Sequence, residues 1–441
     1  MNSMASGGSP ALPHRAGRAT LVTDEDASWV KKLGPGLVTG AADDDPSGIA
    51  TYSQAGSQFG LGMLWSLLLT YPLMVAIQLV SARIGRVSGH GLASNIRQHY
   101  PTWLLYGIVG MLLAANTINI AADLAAMADA MKMMVGGPSH LHVVIMGTLC
   151  AALQVLIPYS RYVYILKWLT LALFAYVGTV FVVHIPWTEV VSQTFMPRLS
   201  MQREYITTLV AVFGTTISPY LFFWQASQEV EEQHAEPGAK PLRRAVRQAR
   251  AVLRRIKLDT FIGMAFSNAV AFFIMLTTAV TLHAHGITDI ESSAQAAGAL
   301  RPIAGEFAYL LFSLGIVGTG LLAVPVLAGS AAYAMAGAFR WRNSLELKPS
   351  AAKKFYAMIV IATLGGVMIG FTPIDPIKAL YWSAVVNGVM AVPIMGVMMH
   401  MGSRHEIMGP LVLTQRLKIG GWVCTATMAA AVTAMFLTLR W

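Results

Sequence analysis

Three adjacent carboxylates, Asp43, Asp44 and Asp45, stand in the stretch GAADDDPSGIATYSQAG, Gly40 to Gly56, within an otherwise apolar segment. Acidic side chains in a segment long enough to cross a bilayer are costly, and their default reading is functional: they hold or pass a cation. The following residues break a helix, because Pro46 has no backbone N–H to donate and Gly48 has poor helix propensity. A chain that unwinds here frees the carbonyls of Ala41 and Ala42 beside the carboxylates. Such irregular backbone survives in a membrane only inside protein or along a water-filled cavity, where secondary transporters keep their central site. Asp45 before Pro46 also fits a helix N-cap, but a cap uses one carboxylate and leaves two. Successive side chains diverge, so the three cannot all meet one ion. Asp45 is the leading ligand, and Asp43 or Asp44 supplies a second or water-mediated contact.

The pattern recurs at Ser218-Pro219, in LVAVFGTTISPYLFFWQASQEVEEQ. A capping side chain followed by proline starts a second half-helix in mid-span and releases the carbonyls of Thr215 and Thr216. A proline kink alone explains Ser218-Pro219 taken singly. Two breaks five spans apart instead predict an inverted repeat with a shared site at the midplane. Ser218 and the Thr215 carbonyl join Asp45 and the Ala42 carbonyl as candidate metal ligands, with Gly48, Tyr220, Asp123, Asn387 and Glu229 along the substrate or proton path. Glu231 and Glu232, beside a basic loop, read as solvated.

The elements that must position these residues are membrane helices. Of 441 residues, 55% are hydrophobic and 12% charged, far from a soluble domain with about a quarter charged. Two cysteines without CxxC spacing indicate neither a disulfide framework nor a zinc site. Apolar runs of about 20 residues predict an all-α polytopic membrane protein with eleven transmembrane helices. The first span, Gly34 to Phe59, and the sixth, Tyr205 to about Gln228, are the broken ones; the fifth is placed at Tyr162 to His184. The divisions are a tail over 1–33, a first five-span repeat over 34–184, an outer loop over 185–204, a second repeat over 205–400, and a loop with the last span over 401–441. With the N-terminus in the cytoplasm, 25 of the 31 Lys and Arg fall on the inner side. That asymmetry predicts a multi-pass protein of a bacterial inner membrane with its C-terminus outside. It also explains the charge of +10 without nucleic acid. The run PLRRAVRQARAVLRRIK, Pro241 to Lys257, fits the same rule, although a basic helix meeting anionic lipid is the other reading.

With both breaks in view, the chain resembles the natural resistance-associated macrophage protein (Nramp) family of proton-coupled divalent-metal transporters. The likeness rests on GPG at Gly34 to Gly36, the Asp-Pro break, QAG at Gln54 to Gly56, ARIGRVSG at Ala82 to Gly89, and the eleven spans. It implies a leucine-transporter-like fold whose first and sixth helices hold manganese or iron. The family's span 1 aspartate falls on Asp45, but its asparagine falls on Gly48, its span 6 methionine on Ser218 and its histidine on Tyr220. The family's span 10 glutamine falls on Ala384, one turn from Asn387, and its span 3 glutamate is matched by Asp123. Exchanging a soft sulfur for the Ser218 hydroxyl favours harder cations, magnesium included. The expected function is alternating-access transport of Mn²⁺, Fe²⁺ or Mg²⁺, with proton coupling left open. The metal is the transported substrate; no resident cofactor, catalysis or obligate protein partner is indicated. The alternative keeps the fold and carries a small organic cation or amine against an aromatic wall of Tyr220, Phe222, Phe223 and Trp224.

Overall fold

The computed structural model describes residues 34–157, 172–197, 199–236, 238–372 and 374–438. The expected tail over 1–33 and the first part of the fifth span lie outside these residues. The described residues are helical, and the longer helices are numbered here along the chain. The first span is two helices, α1 (Pro35–Asp43) and α2 (Pro46–Phe59), followed by α3 (Leu64–Ser88), α4 (Thr102–Val135), α5 (Ser139–Leu156) and α6 (Phe174–Val182). The sixth span is likewise divided into α7 (Arg203–Thr216) and α8 (Pro219–Ala235). Then come α9 (Ala249–Thr281), α10 (Ala308–Phe339), α11 (Lys353–Ile369), α12 (Pro376–Ser403) and α13 (Gln415–Thr438). Short helices lie between the long ones, among them Trp187–Phe195 inside the expected outer loop.

Among the described residues, eight stretches are long and apolar enough to cross a membrane. Three expected spans are not counted separately, for identifiable reasons. The first is divided, its α1 having 9 residues and its α2 running on with α3, and the ninth, α11, is short at 17 residues. The remaining difference is the fifth span, of which only α6 is described.

Both breaks sit where proline forbids continuation. Asp45 adopts an extended backbone (φ −75°, ψ 170°) and Pro46 opens α2. Ser218 is extended in the same way (φ −80°, ψ 132°) before Pro219 opens α8. The four half-helices pack crosswise, α1 on α8 and α2 on α7, so the two breaks face each other. Around them stand α9, against α1 and α2, and α12, against α7. In lipid these contacts come from close packing rather than water exclusion, and small residues permit it. A Cβ on Gly40 would come within 2.3 Å of the Gly263 carbonyl oxygen, and one on Gly214 within 2.0 Å of the Ala384 carbonyl oxygen. The backbones of α1 and α9, and of α7 and α12, therefore touch directly.

Candidate metal centre

Asp45 is fixed by donors from its own half-helix. Its Oδ1 accepts the Ser47 hydroxyl at 2.6 Å and the Gly48 N–H at 2.8 Å, which is the N-cap contact of α2. Its Oδ2 is turned the other way, toward α8, and accepts the Tyr220 hydroxyl at 3.2 Å. The same hydroxyl lies 3.0 Å from the Ala42 carbonyl oxygen, one of the acceptors freed where α1 ends. Tyr220 thus joins the end of α1, the start of α2 and the start of α8 through one oxygen. Gly48 completes this wall: a Cβ there would lie 3.3 Å from Thr215 Oγ1 and 3.5 Å from the Asp43 carbonyl oxygen.

The other two acids turn away. Asp43 Oδ2 and Asp44 Oδ1 both approach the hydroxyl of Ser267 on α9, at 2.6 and 3.0 Å. The three carboxylates therefore split between two helices, as divergent side chains require. Among the described residues no cluster of three or more His, Cys, Asp or Glu forms a metal cage. A divalent ion at this place would draw on Asp45 together with backbone and hydroxyl oxygens.

The Ser218 side chain departs from expectation. It makes no cap contact with α8. Its hydroxyl reaches back to the carbonyls of Gly214 and Thr215, each at 2.9 Å. Breaking α7 leaves those carbonyls without their usual partners, and the nearest hydroxyl satisfies them. The Thr215 carbonyl retains its second lone pair.

Unpaired polar atoms gather near this centre. Asp43 Oδ1, both oxygens of Asp123, and the side-chain amides of Asn119 and Asn387 are buried without partners among the described residues. Buried polar groups are normally hydrogen-bonded, so such a concentration fits a place that takes ions or water. Asp123, on α4, is close enough to sense the charge of Asp45.

The site is closed on both sides. Asp43, Asp44 and Asp45 are at most 3% exposed. Toward the start of α1, Asp259 on α9 accepts the N–H groups of Gly34 at 3.1 Å and Gly36 at 2.7 Å, capping that helix from another element. Arg255, one turn earlier, pairs with both oxygens of Glu232 and lies 3.6 Å from the buried Glu229. Arg86 bridges to Glu236 at 2.8 Å. Glu231 is held by Tyr333, by Ser344 at 3.0 Å and by the Leu345 N–H at 3.2 Å. Glu231 is therefore partly enclosed and hydrogen-bonded, whereas Glu232 pairs with Arg255 and keeps about 28% of its side chain exposed. At the opposite end, Thr208 joins Tyr381 at 2.9 Å and Gln58 at 3.4 Å, linking α7, α12 and α2. Beyond that lies a vestibule of about 300 Å³ lined by Gln54, Gln58, Thr207, Asp289, Lys378 and Tyr381.

Sequence reasoning missed Ser267, Asp259 and Arg255. Asp259 carried a signal, as a single acid at the start of an apolar span, and Arg255 lay in the basic run Pro241 to Lys257 without a sign of its partners; Ser267 carried none.

The family model described as Natural resistance-associated macrophage protein-like matches residues 36–438. The chain belongs to the Nramp family. One relative, the divalent metal cation transporter MntH of Klebsiella pneumoniae (strain 342), is 26% identical over 405 residues, covering 89% of this chain and 91% of the relative. The Eremococcus coleocola manganese transporter, solved with an aromatic bis-isothiourea substituted compound, superposes with a TM-score of 0.70 at 16% identity, over 93% of this chain and 88% of that one. MhsT in complex with L-phenylalanine gives 0.62 at 12% identity, over 93% and 98%. The fold of this Nramp-family chain is the leucine-transporter-like one, with its first and sixth spans broken.

Proposed function

We propose that this Nramp-family protein is a secondary-active carrier, not an enzyme, that moves a divalent metal cation across a bacterial inner membrane by alternating access. The N-terminus is placed in the cytoplasm and the C-terminus outside. The observation that carries the reading is the meeting of both breaks: the Ala42 carbonyl and the Asp45 carboxylate converge on the Tyr220 hydroxyl from the facing half-helix. Asp45 is the principal charge, and the carbonyls of Ala42 and Thr215 add neutral oxygen ligands. Asp43 and Asp44 act through Ser267 or through water, and Ser218 contributes by holding the Thr215 carbonyl in place. An all-oxygen set of this kind suits Mn²⁺ or Mg²⁺ better than metals that favour sulfur, with Fe²⁺ the other candidate.

Spans 1 and 6 hold the ion and rock against the remaining helices, and the pairs Arg255–Glu232 and Thr208–Tyr381 tie span 6 to those helices and are contacts the motion must release. Proton movement, where it accompanies the ion, runs through Asp123, whose bare oxygens lie within reach of the charge on Asp45. The amine reading fares less well. Trp224 packs edge-on against Tyr333 with ring centroids 6.0 Å apart, and the carbonyls of Leu221 and Phe222 are tied to Gln78 and Ser81 of α3. Trp224 is thereby taken up in packing against α10, and Tyr220 meets Asp45 with its hydroxyl, which favours the metal reading.

The test is uptake of radioactive Mn²⁺ into proteoliposomes, competed by Mg²⁺, Fe²⁺, Ca²⁺ and a series of amines, with and without a pH gradient. Competition by divalent ions and loss of uptake in Asp45→Ala support the reading; competition by amines alone contradicts it.

A further inference from the structure

A second cavity, remote from the breaks, has chemistry that ion transport does not use. It encloses about 550 Å³ between α3, α9 and the start of α13, within the roughly 300–1,000 Å³ typical of small-molecule sites. Its lining contains five cations, Arg83, Arg250, Arg254, Lys257 and Arg416, and no acidic side chain. Apart from Tyr71 and Thr414 the rest of the wall is apolar, with Pro72, Val75 and Leu79 of α3 facing Leu253 of α9.

The cations are placed together by helical spacing. Arg250, Arg254, Lys257 and Phe261 follow one another at intervals of four, three and four, a single stripe along α9. Phe261 ends the stripe against α3, where its carbonyl accepts the Tyr71 hydroxyl at 3.3 Å, and Lys257 Nζ lies 5.5 Å from its ring centre. Among the described residues, none of the five cations pairs with a carboxylate within 4.0 Å, whereas Arg255 on the other face of α9 does. Arg83 Nε is buried and has no hydrogen-bond partner. Arg250, Arg254, Lys257 and Arg416 are exposed, so water screens part of their mutual repulsion, while the buried Arg83 Nε, without a partner among the described residues, carries a desolvation cost. An anion entering the hollow removes both penalties.

We propose that this cavity binds the headgroup of an anionic phospholipid from the leaflet on its side of the membrane. The two kinds of lining match such a molecule: phosphate oxygens on the arginines, and the first part of an acyl chain along Pro72, Val75 and Leu79. Beside the stripe, Leu258 and Ile262 are about half exposed, at 53% and 48%, and give the chain an apolar way out. A free phosphate would satisfy the cations and leave the apolar wall unused. The basic run at Pro241 to Lys257 therefore does more than orient the chain, since its last residues build a site. The opposite face of α9 carries Arg255 and Asp259, which hold α8 and α1, so an occupant of this cavity bears on the helix that keeps the metal centre closed.

The experiment is native mass spectrometry of the delipidated full-length protein, titrated with phosphatidylglycerol or with phosphatidylcholine of the same acyl chains. Phosphatidylglycerol should bind at least tenfold more tightly. Near-surface cations contribute about fivefold each, so Arg250→Gln with Arg254→Gln should weaken it about 25-fold. Arg244→Gln with Arg247→Gln removes equal charge from the same run outside the cavity and should change binding less than about threefold. Should the first pair misfold, Lys257→Gln with Arg416→Gln tests the same wall from two exposed positions. Equal binding of the two lipids, or equal loss from both arginine pairs, overturns the site. Displacement of the lipid by inorganic phosphate or glycerol phosphate at matching concentration also overturns it, by making the occupant a soluble anion.

Discussion

Tyr220 occupies the oxygens that a bound ion would need, so Tyr220→Phe should tighten divalent-ion binding rather than weaken it. The phenol lies 3.0 Å from the Ala42 carbonyl oxygen and 3.2 Å from Asp45 Oδ2, both at or beyond the long end of O–H···O contacts. A hydrogen bond to a charged acceptor contributes about 1.5–3 kcal/mol, and these lengths favour the lower figure. An ion that coordinates Ala42 and Asp45 must first displace the hydroxyl. Deleting it removes a cost of about 1.5 kcal/mol from binding, or roughly tenfold in Kd. The ion-free protein loses the same tether between α1, α2 and α8, so its thermal stability should fall while that of the Mn²⁺-bound form stays nearly level. Calorimetric titration of Mn²⁺ into wild type and variant at one ionic strength reads the first quantity, and thermal melts with and without Mn²⁺ read the second. A weaker Kd would make the phenol oxygen a ligand, and an unchanged one would place the ion away from Ala42 and Asp45. Either refutes the reasoning.

Three other perturbations have defined outcomes. Gly40→Ala puts a methyl 2.3 Å from the Gly263 carbonyl oxygen, so α1 must move off α9 at about 1–3 kcal/mol, and a cysteine-accessibility probe near Asp259 should label faster. Arg255→Gln leaves Glu229 buried without its cation; the partial exposure of Arg255 limits the loss to about 1–3 kcal/mol, below that of a fully buried pair, and the melting temperature and inner-side labelling should report it together. Ser267→Ala takes away the hydroxyl shared by Asp43 and Asp44 and should cost about 1–3 kcal/mol, reducing the rate of Mn²⁺ uptake while Asp45 keeps the ion bound. Unchanged uptake in Ser267→Ala would separate Asp43 and Asp44 from transport.

The breaks were legible because their causes are local. Asp45-Pro46 and Ser218-Pro219 each combine a proline that cannot continue a helix with a polar residue before it. The half-helices of 9 and 14 residues in the first span follow directly. What the side chains at the breaks touch was not legible, because it depends on helices more than 200 residues away. Asp43 and Asp44 meet Ser267, and Gly34 and Gly36 meet Asp259, through packing of α1 on α9 that no local pattern encodes. Ser218 shows a competition decided by geometry: its hydroxyl could cap α8 or repair α7, and two orphaned carbonyls at 2.9 Å won. Glu231 looked solvated because a run of acids beside a basic loop usually is, yet Tyr333 and Ser344 hold it, while Glu232 pairs with Arg255 at a partly exposed position. The family resemblance was visible in short motifs, nearly all of them within the matched residues 36–438.

The most direct measurement is anomalous diffraction from crystals of this protein soaked in Mn²⁺. A single strong peak between the two breaks, at about 2.0–2.6 Å from Asp45 Oδ2 and a freed carbonyl oxygen, is the predicted result. A peak that leaves Asp45 beyond coordination distance, or density confined to the vestibule near Gln54, would contradict it.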